Sequence, residues 1–549
     1  MDIVSGFVRR FGRRLSAGMA LVFMTGSLYA GKEESASFYA PNTVQSLRIE
    51  IADNHQKAML AALPDRIYVP ATLRWRETVV ENVGIRFKGN SSSNPRQSHK
   101  RGYLIKVNEY DKGRRFLGLR RISLDNGVQF GGLYSEILIT DVLRDLGLPA
   151  SRCNYARLFL NDDYQGVYVN VERIDESFMD HSLEGADGLL YKAEGGPGVN
   201  LAYAGPNLDV YKRGFEPKSK AAERNFRALE RFLAVIGDEN PENVGRETLE
   251  KVLELEAFMQ TMAVLLFSGA FDQATGWGPH NYYFYRPAEG GPWRYLTWDL
   301  DVGFADGAFG HVAVIDRWHA AWPLPGGGPP RPLLETILSR PELLQRYRKT
   351  AKRILESHFL PERLQKQIED LYSLVKPHLE LDPFPPGRIT VPTDQTHRDV
   401  IESMVAFFER RYRLAQKQLE NPGERPLYTR IEHRQDQERR RRENEPHPGD
   451  RQGSPTELQI VSREAGAVRL RWRNKAPRAA MHVIQRADGI DGQFRNHIGD
   501  PAPGLEEIVD PKIEDNKVYR YRVYAVFPSP QGPQGTQVSN EVISIPQGS

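Results

Sequence analysis

The chain has 549 residues, too many for one hydrophobic core, so we expect two or three domains. Hydrophobic residues make up 40% and charged residues 26%, which is the composition of an ordinary globular protein. The 74 Lys and Arg residues nearly balance the 71 Asp and Glu residues, and a net charge of +3 does not predict nucleic acid as a partner.

Residues 1–30 have the pattern of a secretory signal peptide. Arg9, Arg10, Arg13 and Arg14 precede a mostly apolar run from Ala17 to Ala30, with small residues near the expected cleavage site. The apolar run is short for a membrane span. An amphipathic helix and an uncleaved membrane anchor are the alternatives. We therefore predict a secreted or periplasmic protein of the cell envelope, which contacts the membrane only during export.

Residues 37–421 predict one mixed α/β body whose first part is rich in strands. Strand-like patterns cover residues 47–51, 83–87, 103–107 and 156–160. A helix over 134–146 lies among them, and Gly147 and Pro149 mark its end. The second part predicts helices at residues 222–235, 253–269, 331–338, 342–358, 361–375 and 398–420. A strand-rich part followed by a helical part favours two lobes with a cleft between them.

Residues 430–455 are rich in Arg, Glu, His, Pro and Gly and predict a solvated linker. Acidic residues on both sides of the run Arg439–Arg442 favour a linker over a nucleic-acid-binding arm. In residues 455–549 the alternating patterns Val468–Trp472 and Tyr519–Ala525 predict an all-β, immunoglobulin-like sandwich. This last segment resembles a fibronectin type III module, a domain type that spaces or docks other domains.

A predicted hairpin in the helical part carries a group of oxygen ligands. Its two strands place Asn281 near Asp299 and Asp301, and on a strand the two aspartates would face the same side. Two carboxylates and one carboxamide suit Mg²⁺ or Mn²⁺. A lone Asp-x-Asp can also be a turn or a solvated strand edge, but the apolar neighbours of this pair argue against solvent exposure.

Asp272 precedes this hairpin and is the candidate general base. In protein-kinase catalytic loops an Asp that accepts the substrate proton precedes an Asn that holds metal, and Asp272 precedes Asn281 in the same order. A turn or helix-capping role is the alternative for Asp272.

The strand-rich part supplies small and basic residues suited to phosphate. A strand ends in a polar loop made of Gly89, Asn90, Ser91 and Ser92. Backbone N–H groups in such a loop can approach phosphates, and Lys100 or Lys106 can neutralise them. Glu136 can orient that lysine as the helix glutamate of kinases does, or it can simply complement the helix dipole.

Several motifs resemble, in order, those of the spore-coat protein H (CotH) family. The run Arg86–Ser92 followed by Lys100–Lys106 resembles the opening of the family sequence. Tyr164–Tyr168 leads into Val171–Asp175 as in the family, and Trp298–Asp301 resembles its catalytic end. The resemblance extends over roughly residues 45–420. It departs at Phe87 and Lys88, where the family usually has two arginines or a similar pair before the glycine, and at Arg101, which replaces the second lysine.

The resemblance implies an α+β, two-lobed, atypical protein-kinase-like fold that binds ATP with a divalent metal and phosphorylates protein serines. It implies that Lys100 or Lys106 holds the α- and β-phosphates with Glu136 as a partner, and that Glu172 lies at the hinge near adenine. The same resemblance makes Asp272 the base. It assigns the metal to Asn281 with Asp299 or Asp301.

We therefore predict an ATP- and metal-dependent phosphotransferase that phosphorylates serine or threonine of an exported or cell-surface protein. Two other functions remain open at this point. One is a non-catalytic scaffold or adhesion protein, and the other is a metal-dependent transferase that uses a donor such as a sugar nucleotide.

Overall fold

The computed structural model forms two compact units, one within residues 1–427 and one within residues 428–549. The predicted signal peptide and most of the predicted linker lie outside the described residues. The described residues are 34–89, 91–96, 99–183, 185–238, 243–270, 272–276, 279–305, 307–308, 312–313, 319–323, 331–384, 396–423, 453–476, 479, 481–490, 492–499, 506–527 and 534–546.

The first unit begins with a closed barrel of seven strands in the order β1-β2-β3-β4-β5-β7-β6. Parallel pairing of β1 with β6 closes the barrel, and the other neighbouring strands pair in antiparallel fashion. Alternate residues such as Leu73, Ile85 and Ile105 are fully buried inside it, as the two-residue period of a strand requires. The strands are β1 (Val44–Glu50), β2 (Val69–Trp75), β3 (Thr78–Lys88), β4 (Gly102–Lys106), β5 (Arg121–Asp125), β6 (Cys153–Leu160) and β7 (Asp163–Val171).

A second, antiparallel sheet follows the barrel in the sequence and has the order β11-β10-β8-β9. It shares one large core with most of the helices. A short pair of strands, β12 and β13, lies beyond it in the sequence. The strands are β8 (Leu189–Ala193), β9 (Phe215–Pro217), β10 (Tyr282–Arg286), β11 (Arg294–Thr297), β12 (Gly307–Ala308) and β13 (Val312–Ala313).

Most helices of the first unit are amphipathic or buried and pack around this core, whereas the helix Asp53–Ala61 buries Met59 in the barrel core. None of the helices in the described ranges has both the length and the apolar character needed to cross a membrane. They are α1 (Asp53–Ala61), α2 (Ser135–Asp145), α3 (Glu176–Ser182), α4 (Leu208–Gly214), α5 (Lys220–Arg224), α6 (Phe226–Ile236), α7 (Arg246–Val252), α8 (Leu255–Ser268), α9 (Pro332–Ser339), α10 (Pro341–His358), α11 (Pro361–Leu379) and α12 (His397–Glu420).

The mixed helix-and-sheet composition predicted for this unit is confirmed, with one correction among the helices. The helix predicted over 222–235 is two helices, α5 and α6. Asn225 interrupts them because its side chain accepts a hydrogen bond from Ala228 N and so caps α6. The end of α2 is as predicted, since Gly147 adopts a left-handed φ of 77°. The two-lobed, kinase-like arrangement stays a prediction.

The second unit consists of two antiparallel sheets that share one core. One sheet has the order β14-β15-β18, and in the other β16 and β19 pair centrally with β17, β20 and β21 at the edges. Trp472, Ile484 and Tyr521 are buried in the common core. The strands are β14 (Thr456–Glu464), β15 (Ala467–Arg473), β16 (Met481–Asp488), β17 (Arg495–Gly499), β18 (Glu507–Asp510), β19 (Tyr519–Phe527), β20 (Gln534–Gly535) and β21 (Val542–Ser544).

We expect residues 455–549 to fold without the rest of the chain because they bury a core of their own. Expressed alone, this fragment should unfold in one cooperative thermal transition followed by circular dichroism. Trp472→Ala should weaken or abolish the transition, because loss of a buried Trp costs about 3–5 kcal/mol. A disordered fragment, or insolubility of residues 1–421 without it, would show that the boundary is misplaced.

Candidate active site

A cleft of about 740 Å³ opens between the barrel and the four-stranded sheet. β3 and β5 contribute one wall, β8 and β9 contribute the other, and the loops at the ends of the β10–β11 hairpin form the floor. The lining carries both cations and carboxylates. The charged residues are Arg66, Arg86, Lys88, Asp125, Arg173, Lys192, Glu194, Glu216, Lys218, Asp272, Asp299 and Asp301.

Lys88, the last residue of β3, links the barrel to the floor of the cleft. Its Nζ donates to Asp125 Oδ2 at 2.8 Å and to Asp299 Oδ1 at 3.4 Å. The ammonium group also lies 5.8 Å from the ring centre of Trp298. Burial by itself lowers the pKa of Lys88, but the attraction of Asp125 and Asp299 outweighs it and raises that pKa above its ordinary value. Lys88 is therefore a stable cation inside the cleft.

The hairpin brings Asn281 and the Asp-Leu-Asp segment together as predicted. Tyr282 pairs with Thr297, and Trp298 N donates to Asn281 O at 2.9 Å. The prediction that Asp299 and Asp301 lie on a strand is wrong. β11 ends at Thr297, and Asp299 has a left-handed φ of 58°. Strand alternation therefore does not set the directions of the two carboxylates.

The N-terminal end of α2 holds this segment instead. Leu300 N donates to Glu136 Oε2 at 2.6 Å, and Ser135 Oγ donates to Leu300 O at 2.8 Å. Gly131 N, just before α2, donates to Asp301 O at 2.7 Å. Glu136 thus fixes the backbone between the two aspartates, and the structure does not pair it with Lys100 or Lys106. Burial and the nearby Asp299 raise the pKa of Glu136 to about 8.

The Asp-Leu-Asp segment carries more negative charge than the neighbouring cations balance. Burial and the charges of Asp299 and Asp125 raise the pKa of Asp301 well above its ordinary value. Burial acts on Asp299 in the same direction, but Lys88 and Lys192 attract its charge and keep its pKa below the ordinary value. Surplus carboxylate charge of this kind fits a bound divalent cation.

The donor set fits magnesium only with help from outside the protein. Among the described residues no three Asp, Glu, His or Cys side chains lie close enough together to hold a metal. Mg²⁺ in phosphate-transferring sites commonly uses one or two carboxylates, with water and substrate phosphate completing its shell. Asn281 with Asp299 or Asp301 can supply the protein part of that shell.

Asp272 and Asn281 come into direct contact on the cleft floor. Asn281 Nδ2 donates to Asp272 Oδ2 at 3.1 Å, and His280 Nε2 lies 3.2 Å from the same oxygen. The bond uses the amide nitrogen of Asn281, so the amide oxygen can serve as a ligand. The structure therefore brings together Asp272, Asn281, Asp299 and Asp301, the four floor residues that the sequence predicts.

Two buried side chains that the sequence did not indicate support the Asp272 loop. Gln273 Nε2 donates to Trp298 O at 2.6 Å, which ties this loop to the residue before Asp299. The fully buried guanidinium of Arg331 donates to Ala274 O and Gly276 O. The three acceptors, Trp298 O, Ala274 O and Gly276 O, are backbone carbonyls of distant segments, so these contacts leave no pattern in the sequence.

The lysine prediction needs correction, because the structure brings neither Lys100 nor Lys106 into the cleft lining. Lys100 is buried, and its Nζ donates to Asp382 Oδ2 at 2.6 Å and to Val167 O at 2.9 Å. Lys106 Nζ lies 2.5 Å from Glu109 Oε2 near the far end of β4. The barrel lysine that lines the cleft is Lys88. Its position directly before Gly89, on the face of β3 that points away from the barrel core, is the signal that could have identified it.

The small polar loop after β3 reaches the cleft, and two of its residues line it. Gly89 has a left-handed φ of 86°, which favours glycine at the turn out of β3. Ser92 Oγ accepts from Gly102 N at 3.0 Å and from Asn126 Nδ2 at 3.1 Å, so this hydroxyl braces the loop. Asn90 and the side chain of Ser91 lie outside the described residues.

Glu172 lies in a buried ion network and outside the cleft lining. Its carboxylate is 2.5 Å from Arg152 Nη2 and 2.6 Å from His181 Nε2, and the residue is only 1% exposed. Burial opposes ionisation, but the hydrogen bonds with His181 and Arg152 prevail and lower the pKa of Glu172 to about 2. Glu172 therefore anchors the segment that leads from β7 to α3, and its neighbour Arg173 lines the cleft.

The family called CotH kinase protein matches residues 85–415, which is more than half of the chain. The chain belongs to the CotH family. The inner spore coat protein H of Bacillus subtilis is 21% identical over 318 residues, 58% of this chain and 82% of that protein. The invasin CotH3 of Rhizopus delemar is 24% identical over 231 residues. That match covers 41% of this chain and 37% of the invasin, so the chain spans less than half of the invasin's length.

Solved structures match a smaller part of this CotH-family chain. An Fn3-like protein from Clostridium thermocellum is 23% identical, covers 17% of this chain and 93% of its own, and has a TM-score of 0.15. A score that low carries no structural argument. The all-β fold of the second unit follows from its strands, and its resemblance to fibronectin type III stays a prediction.

We expect Glu172→Gln to destabilise the first unit in a pH-dependent way. The pKa of Glu172 is about 2 in the folded state against an ordinary 4.5, so its ionised form contributes about 3 kcal/mol at neutral pH. This contribution is present above about pH 4.5 and is lost as the pH falls toward 2. Urea unfolding of both proteins at pH 7, 5, 4 and 3 measures the difference in free energy. A difference that stays constant from pH 7 to pH 3 would contradict the assignment.

Proposed function

We propose that this CotH-family protein is an ATP- and divalent-metal-dependent phosphotransferase that acts on serine or threonine hydroxyls. Membership of the family makes it kinase-like. The observation that carries the proposal is the arrangement of Lys88, bound to Asp125 and Asp299, on the same cleft as the contact between Asp272 and Asn281. The cleft therefore contains a cation suited to phosphate, oxygen atoms suited to a metal, and a carboxylate suited to act as a base.

In this proposal Lys88 binds the phosphates of ATP, and the turn at Gly89 offers backbone N–H groups beside it. Asn281 with Asp299 or Asp301 holds Mg²⁺ or Mn²⁺. Such a metal neutralises negative charge on the phosphates when they bind and during transfer. Glu136 keeps the two aspartates in place through its hydrogen bond with Leu300 N.

Asp272 is proposed as the base. It accepts the proton of the acceptor hydroxyl while the hydroxyl oxygen forms a bond to the γ-phosphorus. The bond between that phosphorus and the β–γ bridging oxygen breaks, and ADP leaves with the electron pair. Asn281 Nδ2 orients the carboxylate of Asp272 by donating to Oδ2. The second carboxylate oxygen can then face the acceptor.

The names of the relatives favour an acceptor outside the cytoplasm. One relative is an inner spore coat protein and another is an invasin, which indicates extracellular or surface-associated proteins. We propose the same location for this chain, in agreement with the signal peptide predicted for residues 1–30. The acceptor would then be an exported or cell-surface protein.

We expect Asp272→Asn and Asp299→Ala to impair activity in different ways. A general base contributes about 10²–10⁴-fold to rate and little to nucleotide binding. Asp272→Asn should therefore suppress transfer and leave affinity for ATP with Mg²⁺ nearly unchanged. Asp299→Ala should weaken both, because a metal ligand acts in binding and in transfer. Transfer from radiolabelled ATP, with the protein itself as acceptor, and equilibrium titration measure the two effects.

Asp162→Asn is the matched control, since Asp162 lies on the exposed turn between β6 and β7 and pairs with Arg48 outside the cleft. It should leave both measurements unchanged. Full activity of Asp272→Asn would reduce Asp272 to a turn residue. Transfer or stabilisation with a UDP-sugar and Mn²⁺ but not with ATP would replace the proposed reaction with glycosyl transfer.

A further inference from the structure

Arg173 faces the cleft from the segment that follows β7. Its guanidinium carbon lies 4.4 Å from the ring centre of Trp298, the residue directly before Asp299. This stacking uses the flat face of the guanidinium group and leaves N–H groups in its plane. Arg173 therefore presents hydrogen-bond donors to the cleft, next to the Asp-Leu-Asp segment.

The neighbouring residue fixes this direction. The carboxylate of Glu172 is held in the buried network with Arg152 and His181, and Arg152 O accepts from Glu172 N at 2.9 Å. With Glu172 anchored away from the cleft, the side chain of Arg173 projects into it. The buried network of Glu172 thus sets the direction of Arg173, although Arg173 is not a member of that network.

Arg173 differs from Lys192 and Lys218, two lysines that line the same cleft, in how its charge is balanced. Lys192 Nζ donates to Glu194 Oε1 at 2.7 Å, and Lys218 forms an ion pair with Glu216. For Arg173 the described residues provide no carboxylate partner within ion-pair distance, and its buried Nε has no hydrogen-bond partner among them. A buried N–H group without a partner is unfavourable, and an anion in the cleft would satisfy it.

We propose that Arg173 binds phosphate oxygens of the nucleotide in the cleft that Lys88 also lines. This inference rests on the proposed function and adds a phosphate-binding residue to the site. The planar guanidinium can contact two phosphate oxygens at once, and its stack on Trp298 holds it in that orientation before the nucleotide arrives. Lys88 and Arg173 would then both contact the phosphates, close to Asp299.

The test is equilibrium binding of a non-hydrolysable ATP analogue with Mg²⁺, and of adenosine, to the full chain. Arg173→Gln should weaken binding of the analogue roughly 10- to 100-fold, because a charge-assisted hydrogen bond is lost. Its affinity for adenosine, which has no phosphate, should stay the same. Arg173→Lys should recover only part of the loss, since lysine keeps the charge but not the planar pair of donors.

Arg157→Gln is the matched control, because Arg157 lies on β6 outside the cleft lining and stacks on Phe159. It should bind both ligands as the unmodified protein does. If Arg173→Gln binds the analogue normally, or loses adenosine affinity equally, the role of Arg173 is overturned and the proposed function stands. If the unmodified protein does not bind the analogue, both fail. If Arg173→Gln does not fold, Arg173→Lys decides: wild-type affinity for the analogue would overturn the inference.

Discussion

One ammonium group balances several buried or partly buried carboxylates, and the geometry of the cleft depends on it. Lys88 contacts Asp125 and Asp299, and Asp301 and Glu136 lie close enough for their pKa values to respond to it. Anions that are partly removed from water are stabilised by a nearby cation, so these ion pairs hold the end of β3 against the Asp-Leu-Asp segment. One lysine does not neutralise the whole group. The remaining charge is the physical reason for a metal in the proposed site.

Strand pairing and helix contacts position the other residues of the candidate site near Lys88. Antiparallel pairing of β10 with β11 places Asn281 beside Trp298, and the start of α2 fixes the backbone of Leu300. The buried network of Glu172 positions Arg173 in the cleft lining, beside Trp298. Each of these candidate side chains is thus held by a regular element or by a buried contact, which is the arrangement that catalysis by positioning and charge would require.

The sequence could predict what local patterns determine. The periodicity of apolar residues located most strands and helices, and the predicted hairpin placed Asn281 near Asp299 and Asp301. Long-range contacts were the part that patterns could not supply. Lys100 forms an ion pair outside the cleft with Asp382, which lies 282 positions away in the chain. Glu172 forms buried ion pairs with His181 and Arg152. A left-handed residue at position 299 ended the predicted strand early.

Calorimetric titration with ATP tests the central claim that the surplus carboxylate charge around Lys88 serves a metal–nucleotide complex. We predict that ATP binds with Mg²⁺ present, and that binding is lost when EDTA removes the metal, because the carboxylates then repel the phosphates. Lys88→Met should abolish the binding seen with Mg²⁺, and Lys106→Met, outside the cleft, should preserve it. Equal affinity with and without metal, or an unaffected Lys88→Met variant, would contradict the account.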